Sequence, residues 1–235
     1  WSIEVTRALA DIRNSLPKPY YSTGLGEAYL GNSLKLMAQL PDDCIDLIVT
    51  SPPYALQLQK PYGNEAPEHW VDWFMPFALQ IRRILKPKGS FVLNVGGAWK
   101  KGIPAKTTYQ YEILVELCKE RSDGPLFYLA QDMWWYNPAK LPSPAEWVTV
   151  NRLRHKDAVE PVWWFSKSPD PKTFMDRVKW PYSQAMENLI KRGTYNTGAR
   201  PSGWNISDKF NRDRGGAIPP NILPIANTES NSAYS

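Results

Sequence analysis

Cysteine is scarce: Cys44 and Cys118 are the two in 235 residues, far apart and in no metal-type spacing. That leaves no disulfide framework and no zinc cluster to argue for, and it fits a reducing compartment. No metal site is expected. No run of eighteen apolar residues and no signal-peptide pattern occurs, so neither a membrane partner nor secretion is expected. Internal repeats and low-complexity tracts are also missing, which sets aside solenoid and array architectures. A Gly-rich turn after a strand, of the kind that lets a nucleotide-like cofactor approach the backbone, has no convincing copy; the lone pair Gly96-Gly97 is weak.

What is present suits a globular enzyme-sized domain. A hydrophobic fraction of 43% over this length is enough for one sizeable core. Eleven Trp, twelve Tyr and twenty-two Pro cluster in strings such as WWYNP and PVWWF, where most rings are expected to fill the core and some to stack on a planar ligand. The net charge is +5, with Lys and Arg crowding the second half, which points to a polyanionic partner.

Along the chain, residues 1–26 read as an N-terminal extension, a short helix followed by a Pro- and Gly-containing loop. From Ala28, AYLGNS reads as a short strand and turn, LKLMAQL as a helix, and CIDLIVT as a continuous apolar run that suits a strand buried on both faces. Trp70, Trp73, Phe74, Phe77, Ile81 and Leu85 recur at helical spacing. Lys86-Pro87-Lys88-Gly89 then predicts a turn into the strand SFVLNVGG, with a helix from about 107 to 120. Two further strands are expected in FYLAQDMWWY and AVEPVWWFSK, joined by the loop PAKLPSPAEW. The alternation predicts an α/β fold with a parallel sheet. Composition shifts after Ser168, with one helix expected in SQAMENLIKR, so we divide the chain into 1–26, a catalytic segment 27–168, and 169–235.

The informative feature is an apolar strand running straight into Ser51-Pro52-Pro53-Tyr54. Two consecutive prolines remove backbone donors and leave carbonyl acceptors. An exocyclic amine of cytosine or adenine is a poor nucleophile because its lone pair is delocalised into the ring. The Ser51 hydroxyl and the Pro52 carbonyl, accepting from its two hydrogens, would localise that lone pair on nitrogen, while the Tyr54 ring would stack on the base. A bare Ser-Pro-Pro-Tyr is more often a turn; its place at a strand end is what favours chemistry.

The segment GNSLKLMAQLPDDCIDLIVTSPPYALQ resembles the catalytic opening of the permuted, beta-group DNA amino-methyltransferases. The likeness runs on in order through YGNEAPEHWVDWF, LKPKGSFVLNVGGAWKKGIPA, WWYNPAKLPSPAEWV, KDAVEPVWWFSK, RPSGWNISDKF and GGAIPPNILPIANTESN. The resemblance implies a Rossmann-like methyltransferase sheet, S-adenosylmethionine as cofactor, double-stranded DNA as partner, a bacterial cytoplasmic setting and a role in restriction and modification. In this group Ser-Pro-Pro-Tyr usually marks cytosine-N4 enzymes and Asp-Pro-Pro-Tyr adenine-N6 enzymes, so N4 is expected and N6 is the alternative. The duplex base would be flipped out at a cost of roughly a few kcal/mol.

The same resemblance places Gly31, Asn32 and Ser33, with Ser51, near the cofactor. The family usually has Asp where Asn32 stands. Asn94 stands where a related pattern has Asp beside the catalytic serine; it cannot act as a base but can orient. His69 is implied as a further partner of Ser51. His155 reads as a phosphate- or solvent-facing side chain. Arg152, Arg154, Lys156, Lys191, Arg192, Arg200, Lys209, Arg212 and Arg214 are candidate DNA contacts, within a target-recognition region of about 169–220.

In the permuted order a Phe-x-Gly-x-Gly-type cofactor half follows target recognition. The chain opens on Trp1 and stops at Ser235 without that half, so it is expected on the same polypeptide or a second chain. A DNA-binding or scaffold subunit is the reading from another functional class.

Overall fold

The computed structural model describes residues 12–56, 60, 63–193, 201–203 and 212–226. By its internal contacts the chain divides into two compact units, residues 1–172 with 221–235, and Thr173–Pro220.

The first unit opens with a small antiparallel ribbon, β1 (Tyr21–Ser22) against β2 (Glu27–Ala28). Helix α1 (Ser33–Met37) follows, then β3 (Ile45–Thr50) and the long α2 (Pro67–Ile84). Pro67 suits the start of α2, where its missing N–H costs nothing. Strand β4 (Leu85–Asn94), helix α3 (Tyr109–Cys118), strands β5 (Tyr128–Tyr136) and β6 (Val159–Ser166), and β7 (Ile222–Pro224) complete it, with a π-helical turn at Glu146–Val150.

The strands form one sheet in the order β3-β4-β6-β5-β7. It is mixed rather than parallel: β3–β4 and β5–β7 run parallel, while β6 is antiparallel to both neighbours. The alternation of strand and helix misleads after α3, because β5 and β6 follow one another with no crossover helix and so pair as antiparallel neighbours. Nothing in the sequence reading assigned β7, a three-residue strand too short to show a period. Lys86–Gly89, expected as a turn, lie inside β4 as an irregularity where the register jumps from Ile45–Leu85 to Leu47–Ser90.

An aromatic core lies between the sheet and helices α2 and α3. Trp70 stacks on Phe74 at 5.1 Å and meets Tyr109 edge-on at 5.0 Å, while Phe91 lies between Phe127 and Phe165. All are buried, and each such ring buries enough apolar area to dominate local stability. Strand β3 departs from expectation. Instead of being covered on both faces, it pairs only with β4 among the described residues, and Leu47 and Val49 are 55% and 66% exposed.

The second unit holds a 3-10 turn (Met175–Arg177), an isolated bridge between Trp180 and Ala217, and helix α4 (Gln184–Arg192). The Ser183 hydroxyl caps α4 by accepting from Met186 N, and Gly193 closes it in the left-handed conformation. Arg200 and Lys209 lie outside the described residues.

Candidate active site at the strand ends

Three strand ends converge on one polar cluster: the C-terminal ends of β3 and β4 and the start of antiparallel β6. Carboxyl ends of parallel strands are where such sheets usually bind ligands. Ser51 follows β3 directly, Asn94 ends β4, and Glu160 is the second residue of β6.

The prolines do what their chemistry predicts. Trp70 donates its indole N–H to the Pro53 carbonyl at 2.8 Å, which fixes the tetrapeptide to helix α2. No donor among the described residues bonds the Pro52 carbonyl, so that acceptor is available. Ser51, Pro52, Pro53, Tyr54 and Leu56 line a cavity of about 440 Å³.

Behind this platform Ser51 Oγ donates at long range to Tyr54 Oη (3.3 Å) or Asn94 Oδ1 (3.4 Å). Tyr54 Oη lies 2.9 Å from Asn94 Oδ1 and 3.0 Å from Glu160 Oε2. The Asn94 amide cannot flip freely, because its Nδ2 donates to the Pro161 carbonyl at 3.0 Å. Glu160 is held from its other side by Lys140, at 2.6 Å. Burial, above all, pushes the Tyr54 phenol up to about 12, with the Glu160 charge adding and the Ser51 hydrogen bond opposing. Tyr54 is therefore a neutral hydrogen-bond donor near neutral pH.

Backbone shape makes room for this cluster. A Cβ on Gly96 would lie 2.5 Å from Tyr54 Cε2 and 3.2 Å from Glu160 Oε2. The buried Tyr109 hydroxyl donates to the Gly96 carbonyl and accepts from Ala55 N, tying the two loops together. Its phenol is raised too, mainly by burial. Gly97 packs under Gln110, so both glycines make room for neighbouring side chains.

A second, larger cavity of about 570 Å³ lies on the Glu160 side of Tyr54, with Trp99, Trp147 and Lys140 among its walls.

A model of the N6/N4 DNA methylases matches residues 45–232, spanning the polar cluster and most of the sheet. The chain belongs to the N6/N4 DNA methylase family. Among family members with curated descriptions, the type II methyltransferase M.PvuII of Proteus hauseri is 46% identical over 97% of this chain and 68% of its own length. M.BglII of Bacillus subtilis is 26% identical over 77% of this chain and 46% of its own length. The solved structure of the PvuII DNA methyltransferase, described as cytosine-N4-specific, superimposes with a TM-score of 0.67 at 40% identity, covering 92% of this chain and 63% of that one. The methyltransferase fold expected from the sequence is thereby established. The chain spans about two thirds of the PvuII enzyme and less than half of M.BglII.

Within this family member, the structure brings together Ser51, Pro52, Pro53, Tyr54 and Asn94. It does not bring in His69, which is exposed in the first turn of α2 while Ser51 bonds to Tyr54 and Asn94. Asn32 caps α1, its Oδ1 accepting from Leu34 N (3.0 Å) and Lys35 N (3.2 Å). That leaves its Nδ2, the Ser33 hydroxyl and the exposed Gly31 backbone for a ligand, a donor set that fits only part of S-adenosylmethionine.

Arg152 and Arg154 line one cavity of about 360 Å³ with His155. Lys156 is exposed and donates to the Pro138 carbonyl at 3.2 Å. Lys191 and Arg192 sit in the last turn of α4, where they favour its C-terminal dipole. Arg212 and Arg214 are exposed in the second unit. Sequence reasoning missed Glu160 and Lys140. The available signal was Glu160 itself, the lone carboxylate inside the apolar string AVEPVWWF.

Proposed function

We propose that the chain carries the catalytic part of a type II DNA methyltransferase that methylates N4 of a flipped-out cytosine. The observation that carries this reading is the pair of open acceptors at the end of β3. Among the described residues no donor bonds the Pro52 carbonyl, and Ser51 Oγ lies within hydrogen-bond distance of Tyr54 Oη and Asn94 Oδ1, so donation towards either leaves a lone pair of Ser51 Oγ for the substrate. Two acceptors fit the two hydrogens of an exocyclic amine. Accepting both localises the amine lone pair and raises its nucleophilicity. The cofactor, S-adenosylmethionine, supplies an electrophilic methyl on a sulfonium.

This chain's own residues bind the amine and hold its plane. Pro52 and Ser51 accept from it, Tyr54 flanks it, and Asn94 orients Ser51. Gly31, Asn32 and Ser33 are the positions proposed to contact the cofactor, together with Ser51. The exposed Arg152, Arg154 and Lys156, with the basic side chains of the second unit, supply the charge to neutralise phosphates. The 46% identity to M.PvuII, a type II methyltransferase, supports a place in a restriction and modification pair.

The test is transfer of a tritiated methyl group to duplex DNA by the natural protein, followed by nucleoside analysis. N4-methylcytosine is expected; N6-methyladenine would replace the base assignment, and no transfer would favour a DNA-binding subunit. Ser51→Ala is expected to lower methyl transfer by about 10²-fold or more while leaving duplex affinity nearly unchanged. Wild-type turnover in that variant would remove Ser51 from the mechanism.

A further inference from the structure

The cluster behind the amine platform contains two hydroxyl donors, Ser51 and Tyr54, and two acceptor-only atoms, Asn94 Oδ1 and Glu160 Oε2. Each hydroxyl has one hydrogen. The Tyr54 hydrogen has two candidate acceptors at nearly equal distance, 2.9 and 3.0 Å, and can serve only one at a time. A carboxylate is the stronger acceptor, by roughly a factor of two over a neutral carbonyl. Glu160 is set to be that carboxylate: its Oε1 is paired with Lys140, its side chain is 15% exposed, and its Oε2 is turned to Tyr54.

We infer that Glu160 is a positioning residue for the reaction, taking the hydrogen of Tyr54 so that Ser51 must donate inward and accept outward. This deepens the amine-methylation reading and rests on it. With Tyr54 donating to Glu160, the phenol oxygen and Asn94 Oδ1 are both acceptors facing Ser51. The Ser51 hydrogen is drawn towards them, and its lone pair is left for the substrate amine. With Glu160 replaced by a group that does not hold this hydrogen, Tyr54 can donate to Asn94 or to Ser51. In the second case the Ser51 hydrogen turns into the pocket and meets the amine hydrogens head-on.

Asn94 Oδ1, turned towards the cluster by the Nδ2–Pro161 bond, is a neutral and therefore weaker acceptor than the Glu160 carboxylate, and it is also an acceptor for the Ser51 hydrogen. Gly96 leaves the space in which Glu160 and the Tyr54 ring meet.

The experiment uses Glu160→Gln, Tyr54→Phe and the double variant of the natural protein. Glu160→Gln conserves volume, and circular dichroism checks its fold. Roughly a 10-fold fall in kcat, with KM for DNA within about twofold, is expected for Glu160→Gln. In the Tyr54→Phe background the same substitution should cost less than about twofold, because the hydrogen it controls is gone. Independently of activity, the ionisation of Tyr54, followed through a ¹³C-labelled tyrosine ring, should begin at lower pH in Glu160→Gln, since the carboxylate charge and acceptor that oppose ionisation are lost. Wild-type kcat in Glu160→Gln, an equal loss in both backgrounds, or an unmoved Tyr54 titration would overturn the assignment. Failure of the wild-type protein to methylate either cytosine or adenine would instead overturn the amine-methylation reading, and the Tyr54 titration would still report on the cluster.

Discussion

Strands β3 and β4 are parallel neighbours with similar apolar sequences, yet they live in different surroundings. On β4, Phe91 and Leu93 are fully buried, β6 closes the free edge, and α2 and α3 supply rings. On β3, Ile45 and Ile48 reach the same core, but Leu47 and Val49 on the opposite side stand in the open. Burial is thus set by what is stacked on a strand, and an apolar run reports only that something could be. Ser51, the serine proposed to act on the substrate, follows the less covered strand, and Trp70 and Tyr109, rooted in the core, hold the loops around it.

The contrast can be broken most forcefully on β4. Phe91→Ala removes a ring that touches Phe74, Phe127 and Phe165, and is expected to cost about 3–5 kcal/mol. Equilibrium urea unfolding would show this as a large fall in midpoint; a shift equivalent to less than 1 kcal/mol would mean the core repacks freely. Just beyond the end of β4, Gly96→Ala places a methyl into the Tyr54 ring. About 1–3 kcal/mol of overpacking strain is expected, together with a disproportionate loss of methyl transfer, because Tyr54 is displaced from Asn94 and Glu160. Full activity in that variant would show that the ring has room to move.

The smallest effect belongs to β3. Leu47→Ser should change the stability of the 235-residue chain by no more than about 0.5 kcal/mol, since the side chain is already more than half exposed. A cost above 2 kcal/mol in the unfolding curve would mean that this face is covered in solution.

Much of the fold was legible because it rests on local chemistry. The 3.6-residue recurrence from Trp70 to Ile81 became α2, the apolar strings became β3, β4, β5 and β6, and Ser183 capped the helix expected after it. The site was legible in part. Ser51, Pro52, Pro53 and Tyr54 are contiguous, so sequence shows them as a unit. Glu160 is 106 residues from Tyr54, and no spacing rule connects them. Asn32 illustrates the converse: a residue read as a ligand contact spends its side-chain oxygen on the two backbone amides nearest to it, as Asn does at helix starts.

By itself, then, the sequence determined where the longer strands and helices form, and that a rigid acceptor tetrapeptide ends one strand, because propensity, period and the missing proline donors act over a few residues. Only the tertiary structure decided that the sheet is mixed, that one face of β3 stays open, that Ser51 bonds Tyr54 and Asn94, and that Glu160 and Lys140 complete the polar cluster. Those outcomes depend on strand order and on which side chains meet across more than a hundred residues, where the hydrogen of a single hydroxyl is assigned by the acceptors that happen to surround it.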